Sequence, residues 1–269
     1  MEPTLKDILE ILDSMAPFRH AEDWDNCGLQ VGSLSQEVTK IFVSLDPTPV
    51  SLREASARQA QLLLTHHPLI FGSLFRIDRS TYPGSVISEA LGSGISVVSA
   101  HTNLDVASGG INDMLADLFG LQGVEVLEKK DVPLSGDLGL GRVGDLEKPV
   151  PLSVLAETAR QVLGIEGVRV SGPKDAVLRR VAVVGGAGGG MVSLASQGGA
   201  DILITGDIGH HDARAAEELG LSLLDGGHFH TEKAALHLFA DAFVGRLRKE
   251  GWNVGLEKYE DEKPPLWYG

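Results

Sequence analysis

Positive charge, sulfur and long apolar runs are all scarce in this chain. Lys and Arg number 23 against 37 acidic residues, a formal net charge of −14. Phosphate-backbone binding needs cationic side chains concentrated on one face, so this balance argues against nucleic acid as a main partner. Cys27 is the single cysteine. An internal disulfide is therefore excluded; the chain suits a reducing, cytoplasmic setting, with the thiol read as a small core group. No segment approaches a membrane span. The opening stretch MEPTLKDILEILDSM lacks the cationic region and unbroken apolar run of a signal peptide. Thr4 is instead placed to cap a helix whose apolar face is Leu5, Ile8, Leu9, Leu12 and Met15.

What is present suffices for a proper core. With 43% hydrophobic and 22% charged residues over 269 positions, the chain is globular, as one large domain or two smaller ones. Strand-like runs alternate with helical patterns, the mark of an α/β class. Strands are expected at 41–46, 61–67, 95–101, 181–186, 201–207 and 221–228. The first three and the last three resemble each other as units: each set reads as β-α-β-α-β, so the expectation is two related α/β layers or domains. If the layers face each other, their polar strand ends meet in one cleft.

The chemistry sits at those strand ends, where ligands bind in open α/β sheets. LLLTHHPLIFG carries an apolar run into His66 and His67. Neighbours on a regular strand point to opposite faces, so this pair suits one ion poorly unless the chain bends, and Pro68 makes a bend plausible. Splayed apart, the two rings would each serve a different ion. SAHTNLD offers His101 and Asp105, and GGHFHTEKAAL offers His228 and Glu232, four apart where a helix should begin. Each has a plainer reading: satisfied partly buried imidazoles for His66 and His67, capping of the helix GGINDMLADLF for Asp105 in competition with Ser108 and Asn112, and a helix-dipole contact for Glu232. Three such runs at equivalent strand ends favour metal. Six N and O donors without thiolate suit Zn, Fe, Mn, Co or Ni and point to two ions, since a closed structural site needs only four ligands.

WDNCGLQVG (24–32), THHPLIF (65–71), SAHTNLD (99–105), ITGDIGHHDA (204–213) and DGGHFHTE (225–232) together resemble the Nif-three-like family, also called the GTP cyclohydrolase I type 2 family, across nearly the whole chain. The resemblance implies a two-domain α/β protein with a dinuclear metal site in the cleft between the domains, assembled as a toroidal homohexamer. We expect a first domain of residues 1–127 with 226–269 and a second of 128–225. By motif, His66, His67, Asp105, His228 and Glu232 are implied as ligands, with His101 a ligand or proton donor. His211 matches a family histidine and, with His101, is the candidate proton carrier. Longer members carry an inserted middle domain, for which this chain has no room. The family usually has a small residue where this chain has His230. The implied function is metal-dependent hydrolysis of a small, nucleotide-like substrate, and the alternative is a metal-binding scaffold or interaction protein without efficient turnover.

The remaining motifs read as structure. VVGGAGGGMVS lacks a Gly-Lys-Ser/Thr ending, and Met191 stands where a dinucleotide fingerprint needs glycine, so its glycines at 185–190 are expected to serve close packing. His210 precedes a capping Asp212, and His20 and His237 have no partners in sequence. Asp25 and Asn26 read as a turn, with Asn26 a candidate to line the pocket. Trp252, Trp267 and Tyr268 are the expected subunit anchors.

Overall fold

The structure is a computed structural model and describes residues 2–130 and 138–266. Trp267 and Tyr268 lie outside the described residues.

In chain order, α1 (Leu5–Met15), β1 (Gly28–Val31), β2 (Lys40–Ser44), α2 (Pro49–Ala57), β3 (Leu62–Thr65), α3 (Gly84–Ser93), β4 (Ser96–Ser99) and α4 (Thr102–Val106) come first. Then follow α5 (Ile111–Leu118), β5 (Gln122–Lys129), β6 (Gly139–Pro151), α6 (Leu152–Leu163), β7 (Arg169–Ser171), β8 (Val177–Ala187), α7 (Val192–Gln197), β9 (Ile202–Gly206), α8 (His210–Leu219) and β10 (Ser222–Asp225). The long α9 (His228–Lys249) and the short β11 (Gly255–Lys258) close the sequence of elements. Thr4 caps α1 in a reciprocal box with Asp7, and Leu5, Ile8 and Leu12 are its buried residues.

Two compact units result. The first comprises Met1–Ala107 with Leu236–Lys263, and the second is built on Ser108–Ala235. These bounds differ from an expected 1–127 with 226–269 and 128–225. The reason is packing: α5 lies on β6 and β8, and β5 is an edge strand of the second sheet. The start of α9 is tied to the same unit by the Thr231 hydroxyl, which accepts from the Gly186 amide at 3.1 Å.

In the first unit the strand order is β1-β4-β3-β2-β11, and in the second β5-β6-β8-β9-β10-β7. Among the described residues, each expected strand is present within these sheets. The three central strands of each set pair in parallel, β2 with β3 and β3 with β4, and β8 with β9 and β9 with β10. The likeness between the sets goes further than the β-α-β-α-β pattern. β1, the strand before the first trio, pairs antiparallel with the trio's last strand, β4, and β7 does the same with β10. Each half therefore runs α-β-β-α-β-α-β, with α1 and α6 in equivalent places. β1 and β7 escape sequence reading because they are 4 and 3 residues long, too short to show a period.

The parallel strands are apolar because both faces are covered. β3, β4 and β9 are buried at every residue. Leu63 sits in the first core with Phe42, Leu52, Val86 and Val97, and Leu203 in the second with Ala182, Val192 and Leu223. Shortening Leu63 to Ala should leave a cavity costing about 2–5 kcal/mol. Urea unfolding of the metal-free protein checks this: the midpoint should fall with an unchanged slope, and an unmoved midpoint would show that the site collapses around the smaller side chain.

Candidate metal-binding residues

β3 ends at Thr65, and the chain then bends through His66 and His67. The Thr65 hydroxyl donates to the His67 carbonyl at 2.8 Å, and the His67 amide donates to the Leu45 carbonyl at 3.0 Å. Because of this bend the two rings do not splay as they would on a continued strand; their centroids are 5.2 Å apart. His101 joins them from the end of β4, with centroids 5.1 Å from His66 and 5.5 Å from His67. One nitrogen from each of His66, His67 and His101 lies within 4.8 Å of the other two, a spacing at which a single ion can be held. Asp105 sits in α4, one turn past His101, and its Oδ1 is 3.5 Å from His66 Nε2. It does not cap α5, whose N-cap is Gly110.

A hydrogen bond fixes which nitrogen each ring can offer. His66 Nδ1 is 2.8 Å from the Ala100 carbonyl, His67 Nδ1 2.8 Å from Asp46 Oδ1, and His101 Nδ1 2.9 Å from Asp25 Oδ1. A carbonyl or carboxylate only accepts, so each Nδ1 carries the proton and each neutral ring keeps its lone pair at Nε2. Metal-ligating histidines are held in this way, by a carboxylate or carbonyl behind the ring.

The groups behind the rings are themselves fixed. The Asp25 side chain is fully buried. Burial opposes its charge, but hydrogen bonds from His101, Thr102 and Cys27 outweigh it and hold the carboxyl well below the usual carboxylate range. Burial, together with the same contact, pushes the Cys27 thiol up to about 12, away from the thiolate form that binds metal or attacks as a nucleophile. Asp46 is held through its amide, which donates to Glu262 Oε1 at 3.0 Å; Leu45 donates its amide to Oε2 at 2.8 Å and Ser44 its hydroxyl to Oε1 at 2.7 Å. Burial raises Glu262 above an ordinary glutamate, with these bonds opposing.

In the second unit His228 opens α9, and Glu232 stands one turn on, 4% exposed. His228 Nδ1 is 2.7 Å from Asp207 Oδ2, and Nε2 is 3.1 Å from Glu232 Oε2. Asp207 follows β9 in the left-handed region at φ 54°. The glycine-rich run earns its composition here: Gly186 has φ 69°, and a Cβ on it would overlap the Glu232 carboxylate. It is a packing device, as expected, and gives Glu232 room against β8.

His211 lies exposed in the first turn of α8, edge to face with His210 at 5.4 Å. Asp212 caps that helix, its Oδ2 accepting from the Gly209 amide at 2.9 Å. His230 packs edge to face on Phe229, and burial lowers its pKa. Asn26 turns to Ile70, donating to its carbonyl at 2.6 Å. Trp252 is half-buried just past α9.

These donors fit divalent metal, since neutral imidazoles and carboxylates on pinned rings are what borderline ions accept. The sequence motifs are confirmed by comparison: a model of Duf34/NIF3 (NGG1p interacting factor 3) matches residues 3–265. The chain belongs to the DUF34/NIF3 family. A Clostridium perfringens member named GTP cyclohydrolase 1 type 2 homolog is 36% identical over 243 residues, 90% of this chain and 92% of that protein. A Streptomyces coelicolor member of the same name is 35% identical over 257 residues, 94% and 90% of the two chains. Among solved structures, a Bacillus cereus protein related to NIF3 matches at TM-score 0.94 with 26% identity over all of both chains. Reduced HcgD from Methanocaldococcus jannaschii matches at 0.79 with 29% identity, over 96% of this chain and 98% of that one.

Sequence reasoning missed Asp25, Asp46 and Asp207. A signal was available for the last two, since each closes an apolar strand run as the histidines do. Asp25 is hidden in a turn-like triplet and reaches His101 across 76 positions of sequence.

The His228 arrangement yields a pH prediction. With Glu232 on one nitrogen and Asp207 on the other, against partial burial, its pKa is raised from 6.5 to about 9 in the metal-free protein. A pKa raised on folding stabilises the fold fully below the unfolded value and loses that contribution as pH rises through the folded value, so the window runs from about 6.5 to about 9. NMR titration of the metal-free protein should show His228 titrating near 9, and Glu232→Gln should bring it down toward an ordinary imidazole. An unmoved titration would mean Glu232 is not its partner.

Proposed function

We propose that the chain holds two divalent ions per subunit and is a metal-dependent hydrolase acting on a nucleotide-like substrate. The carrying observation is the pinned Nδ1 of His66, His67 and His101, which leaves Nε2 of each neutral ring for a ligand; His228, also held at Nδ1, turns Nε2 to Glu232 and would release that proton on binding an ion. His66, His67, His101 and Asp105 would supply donors from the first unit, and His228 and Glu232 from the second. Relatives named as GTP cyclohydrolase 1 type 2 homologs support a nucleotide-like substrate.

Bound divalent ions supply Lewis-acid polarisation of the scissile bond and activation of water near neutral pH. The chain's own part is positional. Asp25 keeps His101 in one tautomer and would stabilise an imidazolium, so His101 can hold a ligand position or accept and return a proton at Nε2. His211, exposed and near the end of β9, is the second candidate for proton transfer to solvent. Glu232 would offset positive charge on an ion held with His228.

Elemental analysis after saturation and dialysis should give close to two ions per chain, and His67→Ala should lower the ion content and cut turnover by at least about tenfold. One ion or fewer in the wild type would sink the dinuclear reading. Metal-loaded protein that turns over no nucleotide, phosphoester or amide would favour a binding scaffold instead. Light scattering tests the toroidal homohexamer proposed with this reading: a mass near 28.5 kDa, that of a single chain, would remove it.

A further inference from the structure

Aromatic residues make up 5% of the chain, yet two of them stand exposed beside the histidine cluster. Trp24 is 58% exposed and Phe71 60%, with ring centroids 5.7 Å apart and planes tilted by 47°. Trp24 also meets His101 edge to face, at 6.1 Å and 75°. A single exposed aromatic residue needs no explanation, but a pair touching a candidate metal ligand does.

Neither ring sits on loose backbone. The Trp24 turn is fastened on one side by the Glu22 amide, which donates to the Thr102 hydroxyl at 3.0 Å, and within itself by the Asp25 amide, which donates to the Glu22 carbonyl at 2.9 Å. On the other side Asn26 bridges the two loops: its amide donates to Gln30 Oε1 at 3.1 Å and to the carbonyl of Ile70, the residue before Phe71. Ile70 in turn donates its amide to Gln30 Oε1 at 3.2 Å. Two largely exposed, touching rings thus stand on braced backbone at the edge of the site. Preorganised, open aromatic faces lower the ordering cost of binding and offer stacking without hydrogen-bond selectivity.

We propose that Trp24 and Phe71 form a stacking platform for a planar heteroaromatic ring of the substrate, placing that ring beside His101. This names the substrate class of the site; it rests on the hydrolase reading for the reaction, but the binding step stands by itself. Tethering through Asp25 and Asn26 links platform and ligand: the residue after Trp24 holds the His101 ring, and the Trp24 ring itself meets that imidazole edge to face. The motif WDN acquires a function for each member, with Trp24 for stacking, Asp25 for the His101 tautomer and Asn26 for the loop bridge.

The test uses the full chain, metal-free and zinc-loaded, with guanosine, cytidine and D-ribose as calorimetric probes. Guanosine should bind in both forms, more tightly than cytidine, while ribose should not bind. Trp24→Ala and Phe71→Ala should each weaken guanosine by about 5- to 150-fold, the range of one lost base stack, while Trp24→Phe retains most of the affinity. Zinc stoichiometry unchanged in these variants shows that the fold persists. Guanosine binding equally well to Trp24→Ala would overturn the platform, as would a wild type that takes up zinc but binds neither nucleoside. Variants that dissociate an oligomer while keeping wild-type guanosine affinity would also overturn it, assigning the rings to a contact with a second copy. The two readings fail separately: nucleoside binding lost in Trp24→Ala without wild-type turnover leaves the platform and removes the hydrolase, and turnover of a non-aromatic phosphoester with no nucleoside binding does the reverse.

Discussion

A neutral imidazole has one proton and one lone pair on its ring nitrogens, and the hydrogen bond behind the ring decides which nitrogen faces forward. The metal site proposed for this protein rests on that choice being made before any ligand arrives. Asp25, Asp46 and Asp207 and the Ala100 carbonyl stand behind His101, His67, His228 and His66, so the forward atom is Nε2 in each case. Held otherwise, the rings would offer a mixture of donors and acceptors, and their closeness would be a liability.

The fold supplies these supports with economy. In each unit a parallel trio ends in short polar turns, and the polar residues there divide into those that face forward and those that brace. Asp46 follows β2 and braces His67, which follows β3; Asp207 follows β9 and braces His228, which follows β10. A neighbouring strand's end is the natural source of a brace, because parallel pairing brings equivalent ends side by side. The glycine at 186 completes the arrangement from the strand on the far side of β9, by leaving space that a side chain would fill.

The parallel strands were legible because burial on both faces writes unbroken aliphatic runs, and the histidines were legible because they end such runs. β5, β6 and β11 were not: their residues are largely exposed or half-exposed, and the alternation that would mark them is diluted by Gly, Glu and Lys. One difference between the expected domain bounds and the compact units has the same reason, since β5 could not be seen joining the second sheet. His66 and His67 showed their chemistry but not their direction, which depends on the bend that Thr65 and Leu45 stabilise. The braces were the least visible, because an aspartate at a turn has many uses and its partner lies far away in sequence. Glu262 went unread in a charged, proline-containing stretch that read as a surface tail or subunit contact.

That glutamate bears on how the protein is made. Residues 2–107 are translated before the second unit, but the unit they form takes its edge strand β11 and the brace on Asp46 from residues translated more than a hundred positions later. The second unit, built mainly on Ser108–Ala235, has all its described strands as soon as β10 has emerged. Domains fold as they become complete during synthesis. The unit begun earlier is therefore finished later than the second, and the backbone behind His67 stays without its Glu262 clasp until residue 262 has emerged.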